Sequence, residues 1–300
     1  MWIAVRIIVD TDIGLDVDDA LALAFLLGSS DVEIELITTV YGDVITKCWR
    51  VLEMLHIWGS QNIPVAAGCG EPLLRKRSRE WDEREQAVAR IVPGGEIAHG
   101  HGVVHLIETI LTNPGEMTLL CLGPLTNIGM AIRLEPRVLS KLCGLVIMGG
   151  VHHLGKKSFQ LPMVEYNIGC DPEAAAIVFS SETPITLVTL DVTEKARFDT
   201  NHLEVLRKSG NPLSPLLCER VEMWLGLQDT DSTALHDPLA AAVALFPDLV
   251  DTTRVKLDVE CQVEHAYGQT IATPMAGGNV LVSTEVDSDR FIQLFMATIC

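Results

Sequence analysis

VDTDIGLDVDDALALAF (residues 9–25) sets five aspartates, at 10, 12, 16, 18 and 19, between two apolar stretches. Ahead of it, IAVRIIV (3–9) has the continuous apolar character of a strand buried on both faces. Behind it, VDDALALAFLLG (17–28) reads as a helix closed by Gly28. The same alternation recurs along the chain. EIELITTV (33–40) is a strand, VITKCWRVLEMLHIW (44–58) an amphipathic helix ending at Gly59, and IPVAAG (63–68) a short strand. MTLLCLG (117–123) leads into a helix from about residue 125. The strand LCGLVIMGG (142–150), the helix DPEAAAIVFS (171–180) and the strand PITLVTLD (184–191) follow. This pattern predicts an α/β fold, an open and mostly parallel sheet flanked by helices.

After residue 200 the pattern predicts helices over 214–228 and 236–246, strands over 255–261 and 279–286, and a closing helix over 288–299. No Pro/Ser-rich linker divides the chain, so residues 1–300 read as a single domain. The mixed-charge segment 71–100 reads as a surface excursion or lid.

Composition narrows the function. The chain has 300 residues, 48% of them hydrophobic, enough for a substantial core. A formal net charge of −18 argues against nucleic acid or an anionic membrane as partner, since both need a basic footprint. A small ligand or a cation fits better. The eight cysteines form no CxxC pair, and several lie in apolar runs. They read as small core residues in a reducing, cytoplasmic setting. No apolar run reaches the length of a membrane span, and the residues before Asp10 are too few for a signal peptide.

In a parallel sheet, ligands collect beyond the carboxyl ends of the strands. Asp10 and Asp12 stand at such an end, and Asp18 and Asp19 start the next helix, whose dipole favours negative charge. Five carboxylates are costly to gather without a cation. Oxygen donors in a loop suit Ca²⁺ or Mg²⁺, and the lack of a His/Cys pattern argues against zinc. Capping and solvent exposure are the competing explanation at this stage.

The opening stretch resembles the signature of the nucleoside hydrolases of the inosine–uridine-preferring type. TTVYGD (38–43), GPLTNIGMA (123–131), VIMGG (146–150), EYNIGCDPEAA (165–175) and HDPLAA (236–241) resemble further blocks of that family, in order. The resemblance implies a Rossmann-like core, one Ca²⁺ per chain, a nucleoside substrate and a homodimer or homotetramer. It implies hydrolysis of the N-glycosidic bond of ribonucleosides. Carried over motif by motif, it gives Asp12, Asp19, the main chain of Thr126 and Asp237 as calcium ligands. It gives Asp18 as general base, and Glu165, Asn167 and Asp43 as ribose contacts. Met148 becomes a wall of the pocket and His236 a residue beside the leaving base.

The chemistry gives those roles a reason. Breaking a ribosyl bond builds positive charge on the sugar, which carboxylates favour. A base such as Asp18 activates water, and a donor such as His236 helps the nucleobase leave.

Several features depart from the family pattern. Asp16 and Val17 lengthen the opening loop, and Asp16 becomes an extra carboxylate. Asp43 replaces an asparagine and accepts hydrogen bonds without donating. The loop around Phe159 and Gln160 lacks an asparagine found in many members. His99, Trp224 and Gln228 are possible base contacts, with solvent exposure or packing as the alternatives. Two other classes compete. IIVDTDIG (7–14) has the strand–DxD form of haloacid-dehalogenase phosphatases, but GPLTN, EYN and HDP have no place there. A catalytically impaired nucleoside- or sugar-binding protein of the same fold is the non-enzymatic alternative.

Overall fold

The computed structural model describes residues 4–74, 95–154 and 163–300. Most of the expected excursion (75–94), with Phe159 and Gln160, lies outside them. Nine strands form one sheet in the order β10-β9-β11-β6-β5-β4-β1-β2-β3. They are β1 (Val5–Thr11), β2 (Val32–Thr39), β3 (Val65–Ala67), β4 (Met117–Cys121), β5 (Gly144–Met148), β6 (Ile185–Val188), β9 (Val250–Val259), β10 (Thr270–Pro274) and β11 (Val280–Val286). All pairings from β3 across to β11 are parallel. Only β9 runs against its neighbours β11 and β10. The sheet is open, mixed and mostly parallel, as the strand–helix alternation predicts.

β1 shows why such strands read as unbroken apolar runs. Ile7 and Val9 pack into the core on one face, and Ile8 into the core on the other. The first face is covered by α1 (Asp18–Gly28), α2 (Val44–Trp58), α10 (His236–Leu245) and α11 (Ser288–Ile299). The second is covered by α3 (Gly102–Thr112), α4 (Thr126–Leu134) and α6 (Pro172–Phe179). The remaining helices are α5 (Tyr166–Cys170), α7 (Leu190–Thr193), α8 (Thr200–Arg207) and α9 (Ser214–Gln228). A separate antiparallel pair, β7 (Arg197–Asp199) with β8 (Ser232–Ala234), lies before α8 and α10.

Two glycines differ in role. Gly59 ends α2 in the left-handed conformation (φ +86°), its N–H returning to Leu55 and His56. Gly28 does not close α1 in that way. It is the helix's last residue, and a Cβ there would meet the Thr298 carbonyl of α11 at 2.7 Å. The sequence signal at Gly28 reports close helix packing. The run 184–191 also divides, its last two residues opening α7. All eight cysteines are free, and Cys48, Cys121, Cys170 and Cys218 are buried. No helix among the described residues is long and apolar enough to cross a membrane.

Candidate active site

From β1 the chain runs outward through β2 to β3, and from β4 it runs the other way through β5 to β6. The carboxyl ends of β1 and β4 are therefore the switch point at which an open α/β sheet binds ligands. A cavity of about 640 Å³ opens there, in the range of small-molecule sites. Asp12, beyond β1, and Leu122, beyond β4, both line it.

Asp18 and Asp19 enter from the first turn of α1, and Asp237 from the first turn of α10. Each is at most 7% exposed, and their carboxylate oxygens lie within 4.8 Å of one another. Burial pushes Asp18 and Asp237 well above the usual carboxylate range, and the neighbouring aspartates raise them further. Burial also raises Asp19, to about 6, although the Thr11 hydroxyl and the Lys47 ammonium pull the other way. The Thr11 hydroxyl donates to Asp19 Oδ1. Asp12 lines the same cavity, within electrostatic reach of Asp18 and Asp237. Asp16 lines it as well, and its carboxyl shares a hydrogen bond with Asp18. Buried like charges in a cluster of oxygen donors are the setting that a divalent cation such as Ca²⁺ or Mg²⁺ satisfies. The residues present fit such an ion.

Two cations of α2 grip the backbone of this loop. The Lys47 ammonium donates to the Asp12 carbonyl and, at 3.4 Å, to that of Ile13. Arg50 donates to the carbonyl of Gly14. Asp10, deeper in the fold, accepts from Asn127 Nδ2 at 2.7 Å and from the Thr38 hydroxyl, and so ties β1 to β2 and α4. Burial raises it to about 7.

A second wall is built by α5. Glu165 caps that helix. Its Oε1 accepts from Asn167 N at 2.8 Å, and its Oε2 from Ile168 N at 2.9 Å and Gly150 N at 3.1 Å. Burial raises its pKa, and those three backbone donors oppose the rise. Asn167 Nδ2 donates to the Leu122 carbonyl at 2.7 Å and lies 3.5 Å from Met148 Sδ. On another side, His236 begins α10 with its Nδ1 2.7 Å from the Thr193 hydroxyl. Burial lowers the His236 pKa, against the pull of Glu194, Asp16 and Glu165.

The profile of the family described as inosine-uridine preferring nucleoside hydrolase matches residues 7–293. The chain belongs to this family. It is 32% identical to the inosine-uridine preferring nucleoside hydrolase of Crithidia fasciculata, over 89% of this chain and 87% of that one. It is 31% identical to the pyrimidine-specific ribonucleoside hydrolase RihA of Salmonella gallinarum, over 97% of each. Among solved structures, a plant nucleoside hydrolase superposes with a TM-score of 0.87 at 25% identity, covering 98% of both chains. The purine-preferring ribonucleoside hydrolase of Gardnerella vaginalis gives the same three values. As a nucleoside hydrolase, the protein is an N-ribohydrolase acting on N-glycosyl bonds.

Of the residues singled out in the sequence, this nucleoside hydrolase brings Asp12, Asp18, Asp19, Met148, Glu165, Asn167, Trp224, His236 and Asp237 to one cavity. Trp224 is held by Nε1–H donating to the Thr233 hydroxyl at 3.1 Å. Four others are not among the described residues lining it. Thr126 is the first residue of α4, and its hydroxyl donates to Asp171 Oδ2 at 2.7 Å. Leu122, four residues earlier, is the residue of that segment at the cavity. Asp43 caps α2, accepting from Thr46 N at 3.1 Å and the Thr46 hydroxyl at 2.6 Å. Those bonds hold its pKa below the usual range, although its partial burial acts the other way. Gln228 is exposed on the last turn of α9, and the His99 side chain is 97% exposed.

Sequence reasoning passed over Lys47, Tyr41, Tyr166 and Leu190, which also line the cavity. Lys47 left a signal, for it shares a helical face with Val44, Val51 and Met54. A lysine on such a stripe is buried and needs partners. Tyr41 takes φ +62°, unusual for a bulky side chain, and its N–H donates to the Cys69 carbonyl at 2.8 Å. Its ring meets Tyr166 edge to face, with centroids 6.4 Å apart.

Proposed function

We propose that this nucleoside hydrolase cleaves ribonucleosides to ribose and free base in a calcium-dependent reaction. One observation carries the reading. The buried carboxylates of Asp18, Asp19 and Asp237 converge on one point of a cavity that also holds Glu165, Asn167 and His236. Asp12, Asp19 and Asp237 would hold the ion, with the Leu122 carbonyl in place of the main chain of Thr126. Bound there, calcium supplies the positive charge that orients the ribose diol and a water.

The protein's own groups do the rest. Asp18 takes a proton from the attacking water as oxygen bonds to C1′. The C1′–N bond breaks with its electron pair passing to the base, which takes a proton from His236 Nε2. Glu165, held by three backbone N–H groups, accepts from ribose hydroxyls and favours the cationic transition state. Asn167 orients the sugar, and Trp224 and His236 face the base.

A panel of purine and pyrimidine nucleosides, assayed for reducing sugar with and without calcium after chelation, tests the proposal. Release of ribose and base that chelator abolishes and calcium restores is expected. Turnover unchanged by chelation overturns the metal requirement, and saturable binding without products overturns hydrolysis. Uridine should be cleaved at a far higher kcat/KM than deoxyuridine, because the 2′-hydroxyl makes its contact at the reacting centre.

A further inference from the structure

We infer that Thr193, at the end of α7, is a positioning residue for His236 that keeps the imidazole's Nε2 edge turned toward the leaving base. The inference rests on the proton-donor role given to His236 above.

Thr193 is fully buried, and its hydroxyl lies 2.7 Å from His236 Nδ1. The two ring nitrogens are distinct, and a partner on one determines what the other presents. His236 itself lines the cavity, so with Nδ1 engaged the Nε2 edge is the one available to substrate. A hydroxyl both donates and accepts. Thr193 therefore stays bonded to the ring whichever nitrogen carries the proton.

The platform under Thr193 is fixed at both ends. At its start, Thr189 N donates to Ser283 Oγ at 3.0 Å, and Leu190 N to the Gly150 carbonyl at 3.1 Å. Asp191 accepts from the backbone N–H of His152 at 2.8 Å and of His153 at 3.1 Å. Just beyond α7, the Ala196 carbonyl accepts from Leu235 N at 2.8 Å, and Arg197 pairs with Ala234 across β7 and β8. The segment 193–197 thus holds both the backbone before His236 and its ring. Proton donation falls away when the donor leaves hydrogen-bond reach, so a freed ring costs rate, with substrate binding little changed.

The test compares Thr193→Val, Thr193→Ser, His236→Ala and the double variant Thr193→Val/His236→Ala, each loaded with calcium. Substrates are inosine, uridine and 4-nitrophenyl riboside, whose leaving group departs without protonation. Thr193→Val should lose at least about tenfold in kcat on the two nucleosides, a fraction of what a general acid contributes, with KM nearly constant. It should stay near wild type on the nitrophenyl substrate. Thr193→Ser should restore most of the loss, and the double variant should be no slower than His236→Ala alone. If Thr193→Val does not fold, Thr193→Ala carries the same comparison. Equal losses on all substrates, or additive losses in the double variant, overturn the inference while His236 keeps its role. A His236→Ala variant that slows every substrate equally removes that role, and the inference with it.

Discussion

Asp16 and Asp18 are two positions apart, share a hydrogen bond and both line the cavity, yet their chemistry differs. Asp18 sits with Asp19 and Asp237 in the carboxylate cluster, whereas Asp16 stands outside that group. Asp16 is also within electrostatic reach of His236, the residue proposed to meet the base. In the proposed reaction this difference assigns water activation to Asp18. Asp18→Asn should lower kcat by about 10²–10⁴ on every nucleoside, and Asp16→Asn should stay within about tenfold of wild type. Steady-state kinetics, with calcium content measured in both variants, decide the matter, and a dead Asp16→Asn beside an active Asp18→Asn reverses it. At this scale, side chains with distinctive chemistry were legible in sequence, because Asp, Glu and His announce themselves in motifs. A backbone carbonyl does not, since every residue has one. Nothing in GPLTN says that Leu122 reaches the cavity while Thr126 turns its hydroxyl to Asp171. Trp224 and Gln228 lie one turn apart on α9, but only Trp224 meets the cavity, as Gln228 falls on the exposed last turn.

Among the elements, α2 and α9 carry the support of the site. Lys47 and Arg50 of α2 hold the acidic loop by its carbonyls, and one turn further Glu53 meets Arg220 of α9 at 3.1 Å. Trp224 follows Arg220 by one helical turn, so this pair ties the cavity wall at Trp224 to the helix that holds the acidic loop. Both charges are buried. Burial pushes the Arg220 guanidinium down to about 10, with Glu53 acting against it, and its Nε and Nη1 have no hydrogen-bond partner among the described residues. Such a pair contributes little by existing and costs much when halved. Arg220→Met should destabilise the fold by about 3–5 kcal/mol, and Arg220→Met/Glu53→Gln by clearly less than the sum of the single changes. Urea unfolding measures both, and additive losses contradict the coupling. Element periods were readable where one face dominates, as in α2. At α3 the period is present, with Val103, Leu106 and Ile110 buried on one face, but its cap is His101, a residue seldom used there, with Nδ1 accepting from Val103 N at 3.2 Å, and the helix was passed over. The period gave no signal at α7, a short turn of helix continuing the apolar run of β6.

For the molecule as a whole, the order of strands makes the site and the acidic cluster loads it. Six apolar strand runs before residue 200 announced the parallel sheet, but their order depends on crossovers that leave no mark in the sequence. The loading has a sign that can be worked out. Asp10, raised to about 7, and Asp18 and Asp237, raised well above 3.8, bind protons more tightly folded than unfolded. Burial is the cause in each. Stability therefore falls as pH rises through the folded values, and is regained as pH falls toward the unfolded ones. Carboxyls with lowered pKa, such as Asp43 and Asp248, are already ionised above pH 6.5 in both states and do not oppose this. Burial lowers the His236 pKa, so the unfolded state binds more protons there and this one group adds an opposing slope, outweighed by the three raised carboxyls. Metal-free protein should therefore melt at a higher temperature at pH 6.5 than at pH 8, by up to about 1.4 kcal/mol per pH unit for each carboxyl titrating. Calcium, bound as proposed, would act in the opposite sense, since the raised carboxyls of Asp19 and Asp237 must be ionised to hold it. At saturating calcium the gain in melting temperature should be larger at pH 8 than at pH 6.5. Calorimetry of chelated and calcium-loaded protein at the two pH values reads both effects. A metal-free protein more stable at pH 8 contradicts the raised pKa values of Asp10, Asp18 and Asp237, and a calcium shift independent of pH contradicts Asp19 and Asp237 as holders of the ion.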